Sequence, residues 1–242
     1  MIKAALEYIN GLKAPSIERY GGGTYSDKPL YQMKRPDFPT LEMNTLESVV
    51  RYLKGIDDER EQFGDPTPTI IHIESERCVT LKDIANTAEG KRDCMVRAEA
   101  EVPRFNYGDF YDTESFNIAL QSKFLDTEDK ATILQVVGNL KEDAVRTMTD
   151  DGVSQVTAVR TGVATVADVK VPNPVTLRPF RTFIEVEQPE SKFIFRMREG
   201  GRCAIFEADG GAWKLEAKKN IYNYLKEQLD DEVESGAVVL IL

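Results

Sequence analysis

Apolar and polar side chains alternate most regularly between residues 180 and 215, where the chain reads FRTFIEVEQPESKFIFRMREGGRCAIFEADGGAWKL. Alternation with period two, broken by turn residues, predicts antiparallel strands joined by hairpins. The turns would fall at Gln188-Pro189-Glu190-Ser191, Gly200-Gly201 and Asp209-Gly210-Gly211. Placing Glu187 opposite Lys192 sets Val186 against Phe193, Ile184 against Phe195 and Thr182 against Met197. Closing the next hairpin with Glu199 opposite Arg202 sets Met197 against Ala204, Phe195 against Phe206 and Phe193 against Ala208; the third turn brings Ala208 to Trp213 and Phe206 to Leu215. A slip of one residue would turn every side chain to the other face. This register therefore commits Phe193, Phe195, Phe206 and Trp213 to one buried surface, with Glu185, Glu187, Lys192 and Arg196 on the other.

Helical spacing governs other stretches. Ile2, Ala5, Leu6 and Ile9 recur along a helix that Gly11 ends. Residues 14–40 have no period and hold Gly21-Gly22-Gly23, four prolines and the aromatic residues Tyr20, Tyr25, Tyr31 and Phe38. So long a structureless stretch is unusual in a compact domain. It reads either as a strap docked on its own body or as an arm that packs on a neighbouring subunit. Asn44 as N-cap and Glu47 in a capping box start a helix with Leu46, Val49, Val50 and Leu53 inward. Gly55 is expected to end it, leaving residues 57–61 as a solvated loop. Residues 69–73 and 77–81 read as paired strands, and residues 91–102 as a third. Two helices follow, residues 113–125 burying Phe116, Leu120 and Phe124, and residues 128–140, capped by Thr127, burying Ile133, Leu134 and Val137. Residues 142–161 predict a hairpin turning at Asp151-Gly152 and residues 166–171 another strand. A last helix carries Ala217, Ile221, Tyr224, Leu225 and Leu229, and VVLIL closes the chain as a strand. Segregated helices and hairpin-paired strands indicate an α+β fold. It would have a mostly antiparallel sheet, with a C-terminal β-meander over residues 142–215, packed with about five helices. Residues 1–43 form the helix and strap, and residues 44–242 a single domain.

Composition narrows the function classes. The 242 residues carry a net charge of −10, with three cysteines and one histidine. A protein that tracks nucleic-acid phosphates needs a basic footprint, so direct nucleic-acid binding is not expected. Cys78, Cys94 and Cys203 are scattered, as in a protein with reduced thiols. No apolar run is long enough to span a bilayer, so no membrane association is expected.

Several short motifs together resemble a known family. They are Asp150-Asp151-Gly152-Val153-Ser154-Gln155, Pro172-Asn173-Pro174-Val175, Leu177-Arg178-Pro179, Arg181-Thr182-Phe183, Glu187-Gln188-Pro189 and Asp209-Gly210-Gly211-Ala212-Trp213. In this order, and with RFNYGDFYDTESFNI at residues 104–118, they resemble the YfdQ-like family of phage and prophage proteins, over residues 46–229. The resemblance implies a phage-encoded protein acting in the bacterial cytoplasm. It supplies no catalytic residues.

The residues themselves offer little catalytic chemistry. His72 lies on a strand reading TIIHIES and shares a face with Ile70 and Glu74, which suits a partly buried structural histidine. One histidine and no nucleophile motif give no triad. No GxxxxGK[ST] or GxGxxG element occurs. Glu185, Glu187, Glu207 and Asp209 form a candidate oxygen-ligand set for a divalent cation, set against the reading that they pair with Lys192 and Arg196 across strands. Arg178, Arg181, Arg196 and Arg198, with Arg202, form a candidate positive patch for a phosphate or carboxylate, set against salt bridges to the same glutamates. Tyr20, Tyr25 and Tyr31 of the strap and Leu240 of the apolar tail are candidate oligomer contacts.

The reading that follows is a non-enzymatic, cytoplasmic phage accessory protein that needs no cofactor. It would act by binding as a homo-oligomer, with a host or phage protein as possible partner, in phage genome metabolism or counter-defence. The alternatives are a nucleotide or small-molecule binder or sponge, a self-assembling shell or ring, and a metal-dependent hydrolase.

Overall fold

The computed structural model of the chain describes residues 2–11, 15–20, 23–27, 39–63, 68–83, 92–138, 145–150, 155–161, 164–198 and 200–242. The fold divides into two units, Met1–Phe38 and Pro39–Leu242.

The first unit holds helix α1 (Ile2–Gly11) and strands β1 (Ile17–Tyr20) and β2 (Gly23–Ser26). The strands pair antiparallel from Ile17↔Ser26 to Tyr20↔Gly23. The Asp27 carboxylate accepts a hydrogen bond from the Ser16 amide at their base. The stretch read as aperiodic thus contains a hairpin; four-residue strands are too short for alternation to register.

The second unit begins with β3 (Leu41–Met43), α2 (Leu46–Phe63), β4 (Thr69–Ser75), β5 (Cys78–Asp83) and β6 (Cys94–Glu99). There follow α3 (Thr113–Lys123), β7 (Phe124–Leu125), α4 (Glu128–Gly138), β8 (Val145–Asp150), β9 (Gln155–Thr161) and β10 (Ala164–Val171). The chain ends with β11 (Val175–Pro179), β12 (Ser191–Arg198), β13 (Arg202–Glu207), α5 (Ala212–Gln228), α6 (Asp230–Glu234) and β14 (Val238–Ile241). The class is α+β, and most strand pairs are antiparallel.

Two cores organise this unit. In the first, a five-stranded sheet in the order β14-β4-β5-β6-β3 turns Ile71, Ile73, Val79, Leu81, Val96 and Ala98 to one side. There they meet Leu46, Val49, Val50 and Leu53 of α2 and Ile221 and Leu225 of α5. The tail strand β14 lies parallel to β4, and β3 lies parallel to β6. The pairing of β3 explains why the unit starts at Pro39 rather than after residue 43. In the second core, the antiparallel sheet β13-β12-β11-β7 buries Phe193, Phe195, Met197, Cys203, Ile205, Val175 and Leu177. Its cover is Phe116 and Leu120 of α3 and Ile133, Val136 and Val137 of α4. A third sheet, β10-β9-β8, contains the hairpin expected at residues 142–161; its turn lies outside the described residues.

The meander departs from the expected register in three ways. Residues 180–190 are not a strand, and β12 pairs instead with β11, Val175 opposite Phe193. The Gln188 side chain accepts from the amides of Arg181 and Thr182 and donates to the carbonyls of Phe183 and Val186. Four backbone groups that a strand would pair are satisfied by one side chain. Second, β12 and β13 pair with Arg198 opposite Arg202, so Met197 faces Cys203 and Phe195 faces Ile205. Gly200 and Gly201 both have positive φ, 78° and 73°, and the loop is one residue longer than expected. That changes the parity of β13. Ile205 enters the core, while Phe206 takes the opposite face and meets Phe110 at 6.1 Å. Third, Asp209-Gly210-Gly211 opens α5 rather than a hairpin, with the Asp209 carboxylate accepting from the Gly211 amide at 3.0 Å. Trp213 is therefore buried from a helix, and the four aromatic residues do not share one β surface.

Helix α2 also differs from expectation. It runs through Gly55 to Phe63, so residues 57–61 are helical. One interior glycine costs only about 1 kcal/mol relative to alanine. Its cap is Thr45, whose hydroxyl accepts from the Ser48 amide at 3.2 Å, while Asn44 donates to Glu101. The first-turn amides of Leu46 and Glu47 donate to the Glu185 carboxylate, at 2.8 and 3.4 Å, across 139 and 138 residues of sequence. A carboxylate at a helix N-terminus satisfies orphan amides and suits the helix dipole. Glu185→Ala should lower the unfolding free energy by about 1–2 kcal/mol in urea titration, with Glu185→Gln losing less than half of that. A wild-type midpoint for Glu185→Ala would show that the contact contributes nothing.

Candidate functional site

The site is a cavity of about 370 Å³ at the seam between the two cores of the second unit. Its walls come from four places. Arg77 stands in the β4–β5 turn. Val102, Pro103, Arg104, Phe105 and Tyr107 come from the connection between β6 and α3. Lys123 ends α3, Pro179 ends β11, and Phe180 and Arg181 follow it. Cavities of this size at the junction of two packed bodies suit small ligands.

The irregular connection is held in place by backbone hydrogen bonds. The Gly108 amide donates to the Ile205 carbonyl, and Tyr111 and Cys203 exchange two bonds at 2.9 Å. The loop thus covers the outer edge of β13. Aromatic packing fixes it further. Phe105 lies 5.0 Å from Tyr107, 5.2 Å from Tyr111 and edge-on to Phe124, and Tyr107 stacks on Phe193 at 5.4 Å. Burial pushes the Tyr107 phenol up to about 12, so it remains a neutral hydrogen-bond donor.

Arg181 is the deepest of the cavity's charges, only 2% exposed. Its guanidinium donates to Glu207 at 3.0 Å and to the Ser191 hydroxyl. It also lies 3.8 Å from the Trp213 ring centroid. Burial pulls its pKa down, with the charges of Glu207 and Asp209 pulling the other way; an arginine in a protein stays charged. The Arg181 carbonyl in turn accepts from Arg77 Nε at 3.2 Å. Lys123 donates to the Arg104 carbonyl at 2.6 Å, and Arg104 to the Asn106 side chain at 3.3 Å. Among the described residues, Glu207 is the only carboxylate within 4 Å of any of these four cations. Arg77, Arg104 and Lys123 have none.

Of the arginines expected to converge, Arg181 alone lines the cavity. Arg178 pairs with Glu187 at 2.8 Å and donates to the Gln188 carbonyl. Arg198 lies over the Phe110 ring at 3.8 Å, Arg202 donates to the Phe110 carbonyl, and Arg196 reaches its neighbour's carbonyl at 3.5 Å. With residues 180–190 out of the sheet, these side chains follow separate courses. Arg77, Arg104 and Lys123, which supply the rest of the charge, lie far apart in sequence, and no periodic signal joins them.

The four acidic candidates are not gathered as a metal site. Glu185 caps α2, Glu187 pairs with Arg178 and Glu207 pairs with Arg181. Asp209 sits at the start of α5. Burial pushes its carboxyl up, but hydrogen bonds from Ser191 and the Gly211 amide and the charge of Arg181 outweigh it and hold it below the ordinary range. Among the described residues no group of three or more His, Cys, Asp or Glu side chains is placed to hold a metal ion. Of the oligomer candidates, Tyr25 is exposed, Tyr20 is described only as the end of β1, and Tyr31 lies outside the described residues. Leu240 is partly buried against its own chain's first core, in β14 opposite Ile71.

His72 shares the outer face of the five-stranded sheet with an ion cluster centred on Glu74. That carboxylate accepts from Lys82 at 2.8 Å, Arg97 at 3.2 Å and Thr80 at 3.1 Å, with His72 3.8 Å away. Burial pushes the adjacent Cys78 thiol up to about 11, which leaves it protonated and unreactive.

Compared with family models, curated proteins and solved structures, the chain matches none. Among the described residues no helix is long and apolar enough to cross a membrane.

The Glu74 cluster has a pH signature. The hydrogen bond from Lys82, above all, and those from Thr80 and Arg97 lower its carboxyl from 4.5 to about 2. A depressed folded-state pKa stabilises fully above the unfolded value, and the contribution is lost as the pH falls through the folded one. Between pH 4.5 and about 2 the wild-type urea midpoint should therefore fall more steeply than that of Glu74→Gln. Parallel curves would mean that the cluster is not formed in solution.

Proposed function

We propose that this chain is a non-enzymatic binding protein whose ligand is a small organic polyanion. One observation carries the reading: a 370 Å³ cavity has four cations in its walls, and three of them lack a carboxylate partner among the described residues. In a chain with a net charge of −10, cations concentrated at one concavity favour an anionic guest. The guanidinium groups offer the forked geometry that phosphate and carboxylate oxygens accept. The walls present pyrrolidine and aromatic surface from Pro103, Pro179, Phe105 and Phe180, so the guest has an apolar body as well as charge. Among the described residues that line the site there is no nucleophile or general base with a supporting partner, which favours recognition over catalysis.

A thermal-shift series at low salt tests this. Orthophosphate, citrate, and nucleoside mono- and diphosphates at millimolar concentration span the small polyanions. A bound anion at about 100 times its Kd stabilises by ~2.7 kcal/mol, which raises Tm by several degrees in a chain of this length. Arg104→Gln should weaken that binding about ten-fold, the typical effect of one charge-assisted hydrogen bond. The reading fails if no anion moves Tm, or if Arg77→Gln and Arg104→Gln respond like the wild type.

The phage setting and the bacterial cytoplasm belong to the same proposal and rest on the sequence resemblance. A nucleotide sponge in counter-defence is the role that joins this setting to the cavity. Self-association has a separate support. In the first unit, α1 exposes Ile2, Leu6 and Tyr8, and β2 exposes Tyr25. Several large apolar side chains exposed in one small unit favour a contact surface. Light scattering should give a multimer for the full chain at micromolar concentration and a smaller species for residues 39–242; a monomeric full chain ends this part of the reading.

A further inference from the structure

Resting on the anion-binding reading, we infer that the guest is a free nucleoside monophosphate, its phosphate between Arg77, Arg104 and Lys123 and its base against Phe180. Three features of the cavity converge on this class. The first is charge. Three cations without carboxylate partners among the described residues favour a guest with close to two negative charges, which a phosphomonoester carries near neutral pH. The second is volume. At 370 Å³ the cavity holds roughly ten times the ~30 Å³ that one water takes in the liquid, so a single orthophosphate would leave most of it unfilled.

The third is the disposition of the rings. Phe105 is packed between Tyr107, Tyr111 and Phe124, and Tyr107 is stacked on Phe193, so both already have aromatic partners. Phe180 lines the cavity, is half-buried, and has no ring partner among the described residues. Its backbone is fixed, because its amide donates to the Lys123 carbonyl at 3.0 Å. The same hydrogen bond sets the Phe180 and Lys123 backbones side by side, and both residues line the cavity. A flat apolar ring on an anchored backbone beside a cluster of cations is the pairing that a base with an attached phosphate requires. A nucleic-acid strand offers the same chemistry at its end, but its further phosphates would meet a chain of net charge −10.

Isothermal titration of the full chain tests this with AMP, GMP, CMP, adenosine, orthophosphate, citrate and a 5′-phosphorylated pentanucleotide. At least one nucleoside monophosphate should bind about ten-fold or more tighter than orthophosphate, since base–aromatic stacking contributes on that scale. Adenosine should bind far more weakly than AMP, and the pentanucleotide no tighter than the mononucleotide. Phe180→Leu, checked for an unchanged circular-dichroism spectrum, should remove the advantage over orthophosphate and leave orthophosphate binding as it was. Arg104→Gln should weaken both. If orthophosphate or citrate binds as tightly as every nucleotide, or if Phe180→Leu keeps the advantage, the nucleotide assignment is overturned while the anion site stands. If the pentanucleotide binds tighter, the guest is a nucleic-acid end. If no anion binds, both readings fall together.

Discussion

The buried guanidinium of Arg181 is the constraint from which the second unit takes its shape. Removing such a charge from water costs several kcal/mol, and the loss is recovered only if the partners are well placed. Here they come from three elements: Ser191 at the start of β12, Glu207 at the end of β13 and Trp213 in the first turn of α5. Its own peptide is tied on both sides, the amide to Gln188 and the carbonyl to Arg77. A buried ion pair is weak evidence for net stability, because an apolar replacement of the same shape does as well. What it supplies is definition. In the observed course of residues 180–190 that charge meets Glu207, Ser191 and the Trp213 ring together.

That course joins the two cores. Phe183 and Val186, three residues apart, enter the first core, while Val175 and Leu177 just upstream belong to the second. Thr182 donates to the Glu76 carbonyl, and Arg77 donates to the Arg181 carbonyl, so the β4–β5 turn is held against the crossing segment. The cavity follows from this arrangement. Two sheets with separate helical covers meet at a narrow strap, and the space beside the strap is walled by whatever the neighbouring turns present. Those turns present Arg77, Arg104 and Lys123.

Much of this fold is legible in the sequence, and the losses have physical causes. β4 is readable because TIIHIES alternates over a half-buried sheet, α3 from the spacing of Phe116 and Leu120, and α4 because Thr127 caps it. The hairpin between β12 and β13 was readable, but its register was not. Parity depends on whether the loop has two residues or three, and two adjacent glycines leave both open. Residues 180–190 alternate as well as any strand does, yet a buried arginine and a buried glutamine override the pattern. Composition could identify Arg181 as a cation of interest. It could not show that its companions would come from a turn, a loop and a helix end more than fifty residues upstream.

The acidic residues show why composition alone misleads about chemistry. Glu185, Glu187, Glu207 and Asp209 looked like one cluster only while they shared an imagined sheet face. In the folded chain each carboxylate answers a different local demand: the amides of α2, the guanidinium of Arg178, the guanidinium of Arg181, and the amide at the start of α5. A metal site needs several carboxylates with lone pairs left over and aimed at one point. Here each carboxylate is held by a different donor, and among the described residues the four are not aimed at one point. The converse holds for the cations at the seam. Arg77, Arg104 and Lys123 donate to neutral acceptors, and none of them has a carboxylate partner among the described residues.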